Sequence, residues 1–324
     1  MDQARPRLAE TSAVLCVRQA VRAWLAAYSA DGVVAVGLSG GPDSLALLAA
    51  TVAEGADVLA LVVDHQLQRN SCAVAATAAE HARRLGARAE VLTVEVGSDG
   101  GLEAAARAAR YEALGRARDG RPVLLGHTLD DQAETVLLGL ARGSGPRSIW
   151  GMRPYDDPWG RPLLAVRRAS TRQVCADIGV VPYDDPHNTS PEFTRVRVRN
   201  EVMPLLDDVL GGGVAEALAR TADQLRDDGD VLDNRASELF GTFLARAGAV
   251  DSIAGEPPGL RRRVIRLWLL SAGVNSVSSA QLEAIDRLVV QWHGQGGVAV
   301  GKHSSGARLV ATRKRGNLTL GPDH

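Results

Sequence analysis

The apolar positions of this chain alternate between two periods. Val14, Val17, Val21 and Trp24-Leu25 recur at helical spacing and predict a helix from Ser12 to Tyr28. Val33-Val34-Ala35-Val36 then runs without a polar residue, as a strand buried on both faces does. It gives way to the small-residue stretch Gly37 to Ser44, and an Ala/Leu helix opens at Leu45. Val58 to Val63 predicts a second buried strand, ending at Asp64-His65. Ser71 to Leu85 reads as an Ala-rich helix stopped by Gly86. Ala89 to Val96 is a third strand, Leu102 to Ala117 a helix, and Val123 to Leu125 a fourth strand ending at Gly126-His127. Asp131 to Ala141 is again helical. Strand and helix in turn predict an α/β fold with a doubly wound parallel sheet. Such sheets bind ligands beyond the carboxyl ends of their strands, where Ser39, Asp64 and His127 all stand.

The texture changes after Ala141. A loop rich in Gly, Pro and Asp reaches Trp159-Gly160 and predicts a mobile connection. A short helix, Ser170 to Ile178, and a loop, Pro182 to Pro191, follow. Arg195, Arg197 and Arg199 alternate with valines. In an extended segment they would share one face, to meet phosphate or simply solvent. Helices are predicted over Val214 to Leu225, Val231 to Ala245, Leu260 to Leu270 and Ser279 to Val290. Short strands are predicted between Val298 and Leu320, with turns at Ser304-Ser305-Gly306 and Arg315-Gly316. The expected division is a catalytic domain over 1–206 and a smaller, mainly helical C-terminal domain over 207–324 that ends in short strands.

The stretch Ser39-Gly40-Gly41-Pro42-Asp43-Ser44 carries the first candidate chemistry. Glycine lets backbone N–H groups approach an oxygen ligand, and the new helix adds unpaired N–H groups and a positive dipole end. Together they suit phosphate, with hydroxyl donors from Ser39 and Ser44. A carboxylate repels phosphate unless Mg²⁺ lies between, so Asp43 is read as a metal ligand or a helix cap. A Walker A loop is excluded, because the first lysine of the chain is Lys302. The second stretch is His127-Thr128-Leu129-Asp130-Asp131-Gln132-Ala133-Glu134-Thr135. With a helix starting near Asp130, that residue caps it, and Asp131 and Glu134 share a face. Two carboxylates and an imidazole there could bind Mg²⁺, hold an ammonium group, accept a proton, or merely suit the helix end. Glu103 and Arg107 form either an ordinary surface pair or, through Arg107, a phosphate clamp; Arg110-Tyr111 lie on the same helix.

Composition narrows the partners. The chain is 45% hydrophobic and 23% charged with a net charge of −1, so no global basic field announces nucleic acid. Between Asp286 and Asp323, however, there is no acid, while Lys302, Arg308, Arg313, Lys314 and Arg315 predict a local basic face. Cys16, Cys72 and Cys175 form no C-x-x-C pair, which argues against a zinc knuckle, an iron–sulfur ligand set or a redox dithiol. With no signal-peptide pattern and no bilayer-length apolar run, the expectation is a cytoplasmic protein without a membrane partner.

The Ser39–Ser44 loop resembles the pyrophosphate-binding loop of the N-type, or PP-loop, ATP pyrophosphatases. Further stretches narrow the resemblance to the tRNA(Ile)-lysidine synthases. They are Val63-Asp64-His65, Leu102-Glu103 through Arg107 to Tyr111, His127 through Thr135, Arg142-Gly143-Ser144-Gly145 and Gly151-Met152, Arg161-Pro162-Leu163-Leu164, and Asp185 to Leu205. They cover roughly the first two-thirds of the chain. The family's Arg-Asn-x-x-Arg pattern is matched by Arg195 and Arg199, after Pro186 and Asn188, but Val196 stands in place of the asparagine.

The resemblance implies a PP-loop fold, ATP and Mg²⁺ as cofactors, and as partners free L-lysine and an isoleucine tRNA with a CAU anticodon. It implies that ATP adenylates the C2 carbonyl oxygen of the wobble cytidine, releasing pyrophosphate, and that the lysine amine then displaces AMP to give lysidine. It assigns nucleotide binding to Ser39, Gly40, Gly41, Pro42, Asp43, Ser44 and Asp64. Catalysis falls to Asp43, Arg107, His127, Asp131, Glu134 and Arg199, with Mg²⁺ on Asp43 and Asp131. Competing expectations are a sulfur-inserting tRNA enzyme, an amide-forming NAD or GMP synthetase, and a non-catalytic nucleotide- or RNA-binding module. Oligomeric state, a homodimer included, is left open.

Overall fold

A computed structural model describes residues 8–67, 70–97, 101–143, 145–184, 192–274, 276–302 and 308–322. By backbone contacts the chain falls into two compact units, one of Met1–Leu138 with Gly151–Ala219, the other of Gly139–Trp150 with Arg220–His324.

In the first unit, α1 (Ser12–Tyr28) precedes β1 (Val33–Gly37), α2 (Pro42–Ala53), β2 (Asp57–Asp64), α3 (Ser71–Arg84), β3 (Arg88–Thr93), α4 (Leu102–Ala117), β4 (Val123–Leu124) and α5 (Leu129–Arg142). A hairpin, β5 (Tyr155–Asp156) and β6 (Trp159–Gly160), comes before α6 (Arg168–Asp177). The sheet order is β3-β2-β1-β4-β6-β5, parallel except for the β5–β6 pair. Both faces of the central strands are buried, which is why those strands are uniformly apolar. Val34 and Val36 face one core with Val17 and Val21 of α1, Leu45 and Leu48 of α2, and Val174 of α6. Ala35, Leu59 and Leu61 face the other, with Leu114 of α4. After β1 the chain builds outward to β2 and β3, then returns to place β4 on the other side of β1. The crevice beyond β1 and β4 is the switch point at which doubly wound sheets bind ligands.

The expected mobile connection ending at Trp159-Gly160 is instead partly the β5–β6 hairpin. Gly160 is there because α1 leans on it: a Cβ would stand 2.4 Å from the Trp24 ring. The stretch holding Arg195, Arg197 and Arg199 is also not extended. It forms α7 (Thr194–Arg197) and a π-helical turn, Val198–Val202, before α8 (Met203–Leu210). Helical winding therefore splits the three arginines: Arg195 meets the Thr135 hydroxyl at 3.3 Å and Arg197 pairs with Glu201 on the surface. Residues 185–191, with the Pro186 and Asn188 matches, lie outside the described residues, as do Ser144 and the Ser304-Ser305-Gly306 turn.

Next comes α9 (Val214–Ala245), one helix where two were expected; the second unit takes it up at Arg220. The Asp227-Asp228-Gly229-Asp230 run looks like a breaker. Gly229 instead serves packing, since a Cβ there would lie 2.0 Å from the Trp150 ring. In the second unit α10 (Asp251–Ala254), α11 (Pro258–Ser271) and α12 (Ser279–Val290) follow, then the antiparallel strands β7 (Val298–Lys302), β8 (Arg308–Lys314) and β9 (Asn317–Pro322). Their core gathers Phe243, Ile265, Leu269, Ile285, Val300 and Leu318. Arg313 of the expected basic face donates to the carbonyls of Leu288 and Val289 and so caps the end of α12; Lys314 and Arg315 remain exposed. No helix among the described residues is long and apolar enough to cross a membrane.

Candidate active site

The loop between β1 and α2 is tied by its own hydroxyls. Ser44 Oγ donates to the Gly41 carbonyl at 3.0 Å and accepts from the Ser39 amide at 3.2 Å; the two hydroxyls lie 3.1 Å apart. Gly40 takes φ +80°, a conformation that favours glycine, and Pro42 occupies the first turn of α2. A Cβ at Gly126 would lie 2.9 Å from backbone atoms of Asp43 and Ser44, so only glycine lets the end of β4 come this close. His127 is thereby set beside the loop.

Thr128, not Asp130, closes the start of α5. Its amide and hydroxyl both donate to Asp131 Oδ2 at 2.8 Å. Asp130 turns outward and accepts from the Arg168 amide at 2.7 Å, at the start of α6. Asp131 and Glu134 face inward, and Glu134 is 1% exposed. Two guanidiniums meet them. Arg168 Nη2 stands 2.7 Å from Asp131 Oδ1 and 3.2 Å from Glu134 Oε1. Arg199 reaches Glu134 at 2.8 Å and Asp131 at 3.3 Å. Arg168 escaped the sequence reading. Its signal was two adjacent arginines opening a helix, where the dipole disfavours cations unless acids wait nearby.

Asp43 accepts a hydrogen bond from the Thr171 hydroxyl, and its nearest guanidinium atom, Arg168 Nε, is 3.7 Å away. Burial pushes its carboxyl up to about 6 against that hydrogen bond, and Asp131 adds to the rise. Asp131 itself lies below the ordinary carboxylate range: Arg168, the Thr128 donors and His127 outweigh its burial. Burial, with Arg161, Arg110 and Arg107 nearby, outweighs Asp131 and holds the His127 imidazole far below its ordinary value. His127 is therefore neutral at physiological pH, and its Nδ1 is buried without a partner.

One cavity of about 440 Å³ is lined by Ser39, Gly41, Asp43, His127, Asp131 and Arg199, among others. A second, of about 370 Å³, has walls of Leu38, Leu61, Val62, Val74 and Ala75 with Asp64 at its edge. Asp64 is buried, and its Oδ1 accepts from the Gln66 amide at 3.0 Å. Most of the expected site residues thus converge. Arg107 does not join them: it is exposed, donates to the Tyr111 hydroxyl at 3.1 Å and lies over that ring. The Glu103 side chain lies outside what is described. Cys175 is buried behind the loop, 3.5 Å from the Pro42 carbonyl, and burial pushes its thiol up to about 11.

Residues 16–206 match the family described as PP-loop domain, and residues 249–319 the TilS substrate binding domain. A tRNA(Ile)-lysidine synthase of Nocardia farcinica (strain IFM 10152) is 65% identical over 309 residues, covering 94% of this chain and 97% of that protein. The enzyme of that name from Rhodococcus opacus (strain B4) is 60% identical over 319 residues, 98% of each. The one from Mycobacterium tuberculosis (strain ATCC 25618 / H37Rv) is 57% identical over 291 residues, 88% of this chain and 90% of that protein. Among solved structures, the U34-tRNA thiolase NcsA of Methanococcus maripaludis superposes with a TM-score of 0.52 at 16% identity, covering 66% of this chain and 79% of that one. That likeness concerns the fold alone.

Proposed function

Because this chain belongs to the tRNA(Ile)-lysidine synthase family of PP-loop ligases, we propose that it joins free lysine to C2 of the wobble cytidine in a CAU-anticodon isoleucine tRNA. In the first step the C2 carbonyl oxygen attacks the α-phosphorus of ATP, and pyrophosphate leaves. In the second the lysine amine attacks C2, the C2–O bond breaks, AMP leaves, and one proton is released.

The observation that carries this reading is that the phosphate loop and the Asp131 side of the arginine-held acid pair open on one cavity. A nucleotide phosphate and an amine can therefore meet there. The loop amides and the positive end of α2 receive phosphate oxygens. Asp131, Glu134, Arg168 and Arg199 form a buried cluster of both signs. Free lysine also carries both signs, so its ammonium groups suit the carboxylates and its carboxylate suits the guanidiniums. His127, Asp131 and Glu134 are the groups that can take the proton leaving the amine.

Asp43 fits Mg²⁺. Its carboxylate lines the cavity, is partly desolvated, and among the described residues has no guanidinium closer than 3.7 Å. Both oxygens of Asp131 are already engaged, by Thr128 and by the arginines. Asp43 is therefore the residue that would hold the ion. Such an ion offsets negative charge on the phosphates. Cys175, with its thiol raised to about 11, supports no sulfur-transfer reading.

The test is incubation with Mg-ATP, labelled lysine and a CAU-anticodon isoleucine tRNA. Label is expected at the wobble cytidine and absent from elongator methionine tRNA. Folded protein that releases no pyrophosphate and transfers no label would overturn the proposal.

A further inference from the structure

Of the arginines that line the cavity beside the phosphate loop, Arg110 and the exposed Arg172 are not used by the mechanism above, and Arg110 is the one drawn in from solvent. It projects from α4 to the end of β1, where a Cβ at Gly37 would stand 3.8 Å from its Nη2. Among the described residues it has neither a hydrogen bond nor an ion pair, whereas Arg168 and Arg199 are held by Asp131 and Glu134. Burial draws its pKa below the ordinary arginine value, with no carboxylate to raise it again. A guanidinium so placed has lost part of its water without gaining an anion.

Its position says which anion is missing. Among the described residues, Ser39, Gly41 and Arg110 alone line both cavities. The cavity with apolar walls suits a nucleoside, with the buried Asp64 to meet a polar edge. The other holds the acids and arginines of the reacting end. A nucleotide lying across the two passes its first phosphate by these three residues. The buried, unpartnered Nδ1 atoms of His65 and His127 add polar groups near the same passage, and both rings sense the charge of Arg110.

We infer that Arg110 grips the α-phosphate of the nucleotide, the phosphate that stays with adenosine when pyrophosphate departs and leaves with it as AMP. Arg107, three residues earlier on α4, has its guanidinium against Tyr111 instead. The inference rests on the ATP site of the proposed function and not on the identity of the nucleophile.

Binding of three probes, each alone, tests it by calorimetry: AMP, adenosine and inorganic pyrophosphate. Arg110→Met is expected to weaken AMP at least tenfold and to leave adenosine and pyrophosphate within twofold. The Met variant removes an unpaired, partly buried cation, so its thermal midpoint without nucleotide is expected to hold or rise, which a structural prop would not do. Parental AMP affinity in Arg110→Met, or adenosine affinity falling in step with AMP, overturns the proposal. A parent protein that binds neither AMP nor adenosine would instead overturn the ATP reading. No arm contains tRNA or lysine, so failure of the lysidine reading alone leaves these results unmoved.

Discussion

Arg199 grips Glu134 with a two-pronged fork, Nε to Oε1 at 2.8 Å and Nη2 to Oε2 at 3.1 Å. The carboxylate is almost fully buried and also accepts from Arg168, so it is the hub of the cluster. Glu134→Gln keeps the shape and removes the charge, leaving two guanidiniums to share Asp131. Removing one partner from a buried ionic group typically costs about 3–5 kcal/mol. Urea unfolding of Glu134→Gln is expected to show a loss of that size, and lysidine formation to fall at least a hundredfold. Arg199→Lys keeps charge but loses the fork, so an intermediate loss is expected. Parental stability and activity in Glu134→Gln would remove Glu134 from both roles.

The depressed pKa of His127 gives the protein an acid sensitivity of definite sign. In the unfolded chain the imidazole titrates near 6.5; in the folded one it titrates well below that. As pH falls below 6.5 the unfolded state binds the proton first, so stability is lost on the acid side and is intact above it. The slope from one such group is at most about 1.4 kcal/mol per pH unit. His65 and His81 are shifted in the same direction, so the difference between proteins carries the information. Urea unfolding at pH 7, 6 and 5 is expected to show a shallower decline for His127→Gln than for the parent. Equal slopes would mean that His127 takes up its proton in the fold.

Two glycines separate effects on the site from effects on the second unit. At Gly126 a Cβ would meet the backbone of Asp43 and Ser44, which cannot yield without moving the phosphate loop. Gly126→Ala is expected to weaken ATP binding at least tenfold. At Gly229 a Cβ would meet the Trp150 ring. Gly229→Ala is expected to lose about 1–3 kcal/mol by overpacking while ATP affinity stays parental. The opposite pattern in either variant would show that the glycine serves the other purpose.

What could be read from the sequence was what repeats locally. The bounds of α1, α4 and α12 match the apolar periodicity, and the central strands are apolar because both their faces are covered. The phosphate loop was legible because it lies between a strand and a helix in one continuous stretch. The partners of Asp131 were not, since Arg168 lies 37 residues away and Arg199 lies 68 away, and no local period links them. Arg107 and Arg110 look alike in sequence; only the rotation of α4 on the sheet gives one to solvent and the other to the cavities. The gap expected between Leu225 and Val231 holds Gly229, whose reason, an indole, lies outside α9.

The second unit carries arginines whose partners differ, and that difference sets an expectation for RNA. A cavity of about 390 Å³ is lined by Arg147, Arg262, Arg263 and Arg266 with Ser279 and Glu283. Asp233 holds Arg147 and Arg263, and Glu283 with Asp286 holds Arg262. Among the described residues Arg266 has no ion pair, so its charge is free to replace a counterion on phosphate. Arg266→Ala is expected to weaken tRNA two- to fivefold and to lower the salt slope of binding by about one. The loss should be equal for isoleucine and elongator methionine tRNA, because a phosphate contact carries no sequence information. Lys314→Ala with Arg315→Ala should act in the same way. Arg313→Ala should instead lower thermal stability, since that side chain caps α12. Filter binding from 50 to 200 mM salt checks the first two, and thermal unfolding the third. An unchanged slope in Arg266→Ala would place the RNA elsewhere, and a loss confined to isoleucine tRNA would make Arg266 a reader of sequence.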